Sequence, residues 1–138
     1  MQASIDQIRD FLLNPGKLAI VGASTKENKA GFYVPKYLRS LGFETILVNP
    51  MVDEIQTTKT LKSLDDVAGF DLKGVIIYRK LPIAEKVALK AIDMDIPFIW
   101  LPDRIVSEKA EKLAEEKNLL YVQDDCPLRI GKRLKIAP

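Results

Sequence analysis

Among the residues able to do chemistry, the strongest pattern is Gly22-Ala23-Ser24, which directly follows the apolar run KLAIV (17–21). A glycine at the end of a buried strand lets the chain turn sharply and lets a phosphate approach the backbone. Ser24 adds a hydroxyl, Gly31 is a second glycine near the next helix start, and Lys26 and Lys29 bring positive charge to the loop between them. The plainer reading of Gly22 is a tight turn and nothing more. Histidine is absent and Cys126 is the one cysteine. No Ser–His or Cys–His nucleophile pair can therefore form, and a zinc site lacks its usual ligands. Asp124 and Asp125 are adjacent, so on a strand they point to opposite faces and do not make a carboxylate pair.

These residues must be positioned by the elements around them. Ser4 to Leu13 has a helical apolar period, with Ser4 as N-cap and Gln7 three residues on. Further helices are expected over Phe32 to Leu41, Leu81 to Met94 and Ser107 to about Lys117, with a short one capped by Ser63. Apolar runs predict strands at Lys17 to Val21, Thr45 to Val48, Gly74 to Tyr78, Phe98 to Leu101 and Leu119 to Val122, with a short one near Thr58. Alternating strands and helices predict an α/β fold. It is a Rossmann-like, doubly wound, mainly parallel sheet of about five strands with helices on both faces. Such sheets bind ligands at the carboxyl ends of their strands. The strand ends to inspect are Gly22-Ala23-Ser24, Asn49-Pro50, Tyr78-Arg79-Lys80, Leu101-Pro102 and Asp124-Asp125-Cys126.

The chain has 138 residues, enough for one core, and its 47% hydrophobic and 29% charged composition fits a globular domain, not a disordered chain. One domain over residues 1–138 is expected, with its core at about 15–130. With 21 basic and 19 acidic residues, the charge is too even to point to nucleic acid. No apolar run reaches the length of a membrane span, and the N-terminus lacks a signal-peptide pattern. With a single cysteine the expected compartment is the cytoplasm. Trp100 is expected in the core, Cys126 as a small packed hydrophobe with a thiol open to mixed-disulfide formation as the alternative, and the basic tail LRIGKRLKIAP as a solvated end.

Two nucleotide patterns are missing. The G-x-G-x-x-G of nicotinamide enzymes is broken at Ser24, and the second strand ends in Asn49 where such a site wants a ribose-binding acid. The P-loop pattern is also absent.

VGAS (21–24), GFYVPKYLRSLGF (31–43), VNP (48–50), YR (78–79), IWL (99–101) and DDCP (124–127) follow in order. In this combination the chain resembles the small stand-alone CoA-binding proteins of the YccU-like group. These are similar in turn to the N-terminal domain of the succinyl-CoA synthetase α subunit. The resemblance covers about residues 15–130 and implies coenzyme A or an acyl-CoA as ligand. It also implies that Gly22, Ala23 and Ser24 contact the pyrophosphate, with Lys26 nearby. Asn49 and Pro50 would lie beside the adenosine ribose, Tyr78 and Arg79 at the adenine or phosphate edge, and Leu101 along the pantetheine arm. The sequence departs from the group at Met51, where a basic residue is common, and at Pro102, where Gln is common.

Relatives that act on acyl groups use a phosphohistidine on a separate domain, so the expected function is CoA binding without catalysis, as sensor, carrier or partner subunit. A protein partner is left open. The alternative is a nicotinamide-dependent oxidoreductase. Gly22→Val is expected to abolish binding while leaving the chain folded.

Overall fold

The computed structural model describes residues 2–138. The elements run α1 (Ile5–Leu13), β1 (Lys17–Val21), α2 (Ala30–Ser40), β2 (Glu44–Val48), β3 (Glu54–Ile55), β4 (Thr58–Lys59), a 3-10 turn (Leu64–Val67), β5 (Leu72–Ile77), α3 (Ile83–Asp93), β6 (Phe98–Trp100), α4 (Glu108–Glu116), β7 (Leu120–Val122) and α5 (Pro127–Arg133). Five strands form one sheet in the order β2-β1-β5-β6-β7, and every pairing in it is parallel. This is the expected Rossmann-like α/β fold. Short β3 and β4 form a separate antiparallel pair.

Strand alternation sorts the core into two layers. Ala19, Val21, Val75, Ile77, Ile99 and Leu101 pack with Ala84, Ala88 and Ile92 of α3 and Ala110 and Ala114 of α4. Leu18, Ile20, Ile76, Phe98 and Trp100 point the other way, against Phe11 and Leu12 of α1, Val34 and Leu38 of α2 and Ile130 of α5. Small alanines let α3 and α4 lie close to the sheet, whereas aromatics fill the opposite layer. There the Phe11 ring centroid lies 4.4 Å from that of Phe98, and the Phe98 centroid 5.7 Å from that of Trp100.

Caps end the helices where the sequence suggests. Ser4 and Gln7 make the reciprocal capping box of α1, and Gly42, at φ +108°, turns the chain out of α2. Both sheet edges meet another part of the chain. Beside β2, the Leu61 N–H donates to the Leu47 carbonyl at 2.8 Å, and the Asn49 N–H to the Leu61 carbonyl at 2.8 Å. Beside β7, the Ala3 N–H donates to the Tyr121 carbonyl at 2.7 Å, and the Gln123 N–H to Gln2 Oε1 at 3.0 Å.

The C-terminal tail is not a solvated end. It folds as α5, with Ile130 and Gly131 buried. Gly131 leaves room for the Tyr37 ring, and the Tyr37 hydroxyl donates to the Ile136 carbonyl at 2.8 Å. Basic residues on one side of this segment hid an apolar stripe that needs α2 to cover it.

Gly22 is required by the fold itself. Its φ is +80°, and a Cβ there would lie 2.9 Å from the Tyr78 carbonyl carbon and closer still to its oxygen. That obstacle is backbone, so it has little room to give. Gly22→Val therefore cannot be a folded, binding-deficient variant. We expect even Gly22→Ala to lower stability by about 2–4 kcal/mol, from left-handed strain plus the clash. Urea unfolding checks this, and a loss under about 0.5 kcal/mol, the ordinary range for a harmless substitution, would contradict it.

Candidate functional site

The connections out of β1 and β5 leave the sheet in opposite senses. β1 leads through α2 to β2 on one side, and β5 leads through α3 to β6 on the other. The strand order therefore reverses between β1 and β5, and a crevice opens at their carboxyl ends. A cleft of about 800 Å³ lies there, within the range of roughly 300–1,000 Å³ usual for small-molecule sites. Gly22, Ser24 and Lys26 line it from the loop after β1, Lys29, Gly31 and Tyr33 from the start of α2, and Tyr78, Arg79 and Lys80 from the end of β5. Pro102, Asp103, Arg104 and Ile105 supply a further wall, and Ala30 and Cys126 complete the lining.

The loop after β1 is held from within. The Gly22 N–H donates to the Val48 carbonyl at 2.8 Å and the Ser24 N–H to the Gly31 carbonyl at 3.1 Å. Ser24 Oγ accepts the Lys26 N–H at 3.0 Å, which leaves the Ser24 hydroxyl proton free to donate. Gly31 allows the first turn of α2 to press on this loop, since a Cβ there would lie 3.0 Å from the Gly22 carbonyl oxygen. The N-cap of α2 is Lys29, whose side chain makes no cap hydrogen bond. The Phe32 and Tyr33 N–H groups donate to the Lys29 carbonyl at 2.9 and 3.1 Å, and the positive end of the helix dipole, where Ala30 and Gly31 line the cleft, is left without a capping side chain.

Charge in the cleft is one-sided. Lys26, Lys29, Arg79, Lys80 and Arg104 line it against Asp103. Asp103 is already neutralised. Arg129 donates to its two oxygens at 3.0 and 2.7 Å and holds its carboxyl below the usual carboxylate range. The same guanidinium reaches Asp125 at 2.7 Å, and the Arg104 N–H donates to Asp124 at 2.7 Å. The two neighbouring aspartates thus each fasten the loop or the helix behind this wall.

Tyr78 is the unusual group. Its hydroxyl is buried and has no hydrogen-bond partner among the described residues. Burial, then the nearby Cys126, Tyr33 and Asp103, push the phenol well above its ordinary value. It therefore stays protonated and is a donor in want of an acceptor.

Of the residues singled out from the sequence, Gly22, Ser24, Lys26, Tyr78 and Arg79 come together in the cleft. Ala23, 1% exposed, turns into the core. The Leu101 side chain is fully buried under α3 and α4, so it does not reach the cleft. Asn49 and Pro50 lie outside the lining. The Asn49 side-chain amide donates to the Ala23 carbonyl at 2.8 Å and its oxygen accepts the Met51 N–H at 2.8 Å. It pins the loop after β1 to the end of β2. The wall at 103–105 was missed because the strand end after β6 was read no further than Leu101-Pro102, of which Pro102 does line the cleft. Arg104, a lone arginine in a strand-end loop beside β5, was the available signal.

A buried hydroxyl without a partner costs about 1–3 kcal/mol. Tyr78→Phe is therefore expected to leave the thermal midpoint of the ligand-free protein unchanged or raised in calorimetric scanning. A clear fall would mean that the hydroxyl already has a structural partner.

Known proteins share this architecture and parts of this sequence. A hypothetical protein from Pyrococcus horikoshii OT3 superposes with a TM-score of 0.87 at 28% identity, over 96% of this chain and 93% of that one. The structure of cell-free ID.343 from Thermus thermophilus superposes with a TM-score of 0.86 at 24% identity, over 96% and 99% of the two chains, a likeness of fold. The uncharacterized protein YneT of Bacillus subtilis is 28% identical over 120 residues, which cover 87% of this chain and 88% of YneT. The ADP-forming acetate–CoA ligase of Methanocaldococcus jannaschii is 25% identical over 123 residues, 84% of this chain but 18% of the ligase. The CoA binding domain family matches residues 16–132, and the chain belongs to that family.

Proposed function

We propose that the chain binds coenzyme A or an acyl-CoA in the cleft between β1 and β5, without catalysis of its own. The observation that carries this reading is an anion site built without an acid to oppose it. An uncapped helix N-terminus, Lys26, Lys29, Arg79 and Arg104 share the cleft with a carboxylate already taken by Arg129. Coenzyme A carries about −4 at neutral pH on its diphosphate and 3′-phosphate. In this reading the diphosphate lies over the Gly22–Ser24 loop and caps α2, with the Ser24 hydroxyl donating to it. Asn49 shapes that loop and makes no ribose contact of its own. A smaller polar recess of about 160 Å³, lined by Ser24, Arg39, Gln56 and Thr58 among others, adjoins the cleft at Ser24 and offers room toward the adenosine end. The unpartnered Tyr78 hydroxyl offers a donor to an acceptor deeper in the ligand.

A nicotinamide dinucleotide fits less well. Its ribose wants a carboxylate at the end of β2, and the Asn49 amide there is spent on Ala23 and Met51. The absence of histidine argues against acyl transfer through a phosphohistidine. It also removes the side chain that titrates near neutrality unperturbed. The ligase relative is several times longer than the matched region, so its activity need not reside in this part. A sensor, a carrier or one subunit of a larger enzyme all suit a binding domain of this kind.

Titration calorimetry at low salt should give CoA binding at micromolar concentration or tighter and much weaker NAD binding. Equal affinities would refute the assignment. Affinity should fall as salt rises, because the contacts are ionic. Arg79→Ala should cost about 1.5–3 kcal/mol, roughly ten- to a hundredfold. Lys29→Ala should cost less, because Lys29 is exposed whereas Arg79 is half-buried. Acyl-CoA, CoA with carboxylate and ATP, or reduced nicotinamide should give no multiple turnover by the isolated chain, and repeated turnover in any of these assays would show a missed active site.

A further inference from the structure

Cys126 is the chain's one cysteine. It ends the loop after β7, stands at the N-cap of α5, and lines the cleft together with Tyr78. Its backbone is fixed from both sides. The Cys126 N–H donates to Asp125 Oδ1 at 2.9 Å, the same oxygen accepts Arg129 at 2.7 Å, and Trp100 Nε1 donates to the Asp125 carbonyl at 2.9 Å. A cysteine that only fills space is enclosed by apolar neighbours. Cys126 is half-buried: it packs against the apolar layer that holds Trp100 and Ile130 and also lines a cleft rich in cations.

The second observation is independent of the thiol. The Tyr78 hydroxyl is buried in the wall of the same cleft with no acceptor among the described residues. Buried donors are almost always satisfied, so an orphan facing a cleft points to an acceptor supplied by a ligand. Tyr78 and Cys126 line the same cleft, so a ligand that satisfies the hydroxyl shares that cleft with the sulfur.

We propose that Cys126 undergoes thiol–disulfide exchange with the disulfide form of the phosphate-bearing thiol that the cleft binds. This rests on the coenzyme A reading above, and the disulfide is the co-reactant. The Cys126 thiolate attacks one sulfur of the symmetrical disulfide RS–SR. The bond between Cys126 Sγ and that sulfur forms as the S–S bond breaks. The departing thiolate RS⁻ takes up from solvent the proton that Cys126 gave up. One disulfide is consumed and one is made, with no other oxidant or reductant. A free thiol reverses the step by the same route. The chain would thereby hold the thiol covalently under oxidising conditions and return it when thiols are restored.

The test uses the full chain, reduced and then freed of reductant, with intact mass as the readout. It is exposed in parallel to CoA disulfide and to the neutral 2-hydroxyethyl disulfide at low salt, while calorimetry with reduced CoA follows binding alone. The expected result is a single CoA adduct, removed by dithiothreitol. It should form at least about tenfold faster than the neutral adduct, the lower range of electrostatic steering, and lose that advantage as salt rises. Cys126→Ser and Cys126→Ala should give no adduct. CoA bound in calorimetry with no adduct, or with equal rates from the two disulfides, overturns the exchange and leaves the binding assignment standing. Failure of the wild-type chain to bind reduced CoA overturns the binding assignment itself.

Discussion

At the carboxyl ends of β1 and β5 the two backbones come so close that no side chain fits between them. The Tyr78 N–H donates to the Val21 carbonyl at 2.7 Å, and the next residue of β1, Gly22, lies against the Tyr78 carbonyl at φ +80°. This contact fixes the floor of the crevice. It sends the chain after β1 up into the Ser24 loop and α2, while the chain after β5 leaves toward α3. Tyr78 is thereby held in the wall of the cleft with its hydroxyl buried, and Arg79 also lines the cleft. The same glycine thus serves the fold first, and any ligand role it has is inherited from the shape it permits.

Around that contact the charge arrangement depends on Arg129. Without it Asp103 would be an unpaired carboxylate among the cleft cations and would oppose any anion. Bound to Arg129, Asp103 instead ties the wall carrying Arg104 and Ile105 to α5. Neutralisation and positioning are accomplished by one guanidinium that does not line the cleft itself.

The sheet was legible because its strands are short apolar runs ended by Gly, Pro or Asn, and because alternation with helical periods leaves few other topologies. Ser4, Gly42 and Ser107 acted as the stops and starts that their types imply. The loop after β1 was legible for the same local reason. Where the role of a residue depends on a distant partner, sequence reading failed. Asn49 acts through Ala23 and Met51, and α5 is stabilised by Tyr37 and the far side of α2. Leu101 follows from the strict alternation along β6. Continuing that alternation one residue beyond Trp100 puts its side chain on the α3–α4 side, a step that strand-end reasoning skipped.

The segments that lie along β2 and β7 also bear on how this protein can associate. A parallel sheet with open edges offers rows of unpaired N–H and C=O groups to any extended chain. Here Leu61 occupies backbone groups beside β2, and Ala3 and Gln2 those beside β7. A strand from another molecule could pair with Leu47 and Asn49, or with Tyr121 and Gln123, only by displacing one of these segments. At these positions the edges are closed to backbone pairing, which leaves side-chain pattern as the means by which those parts of the surface can be recognised.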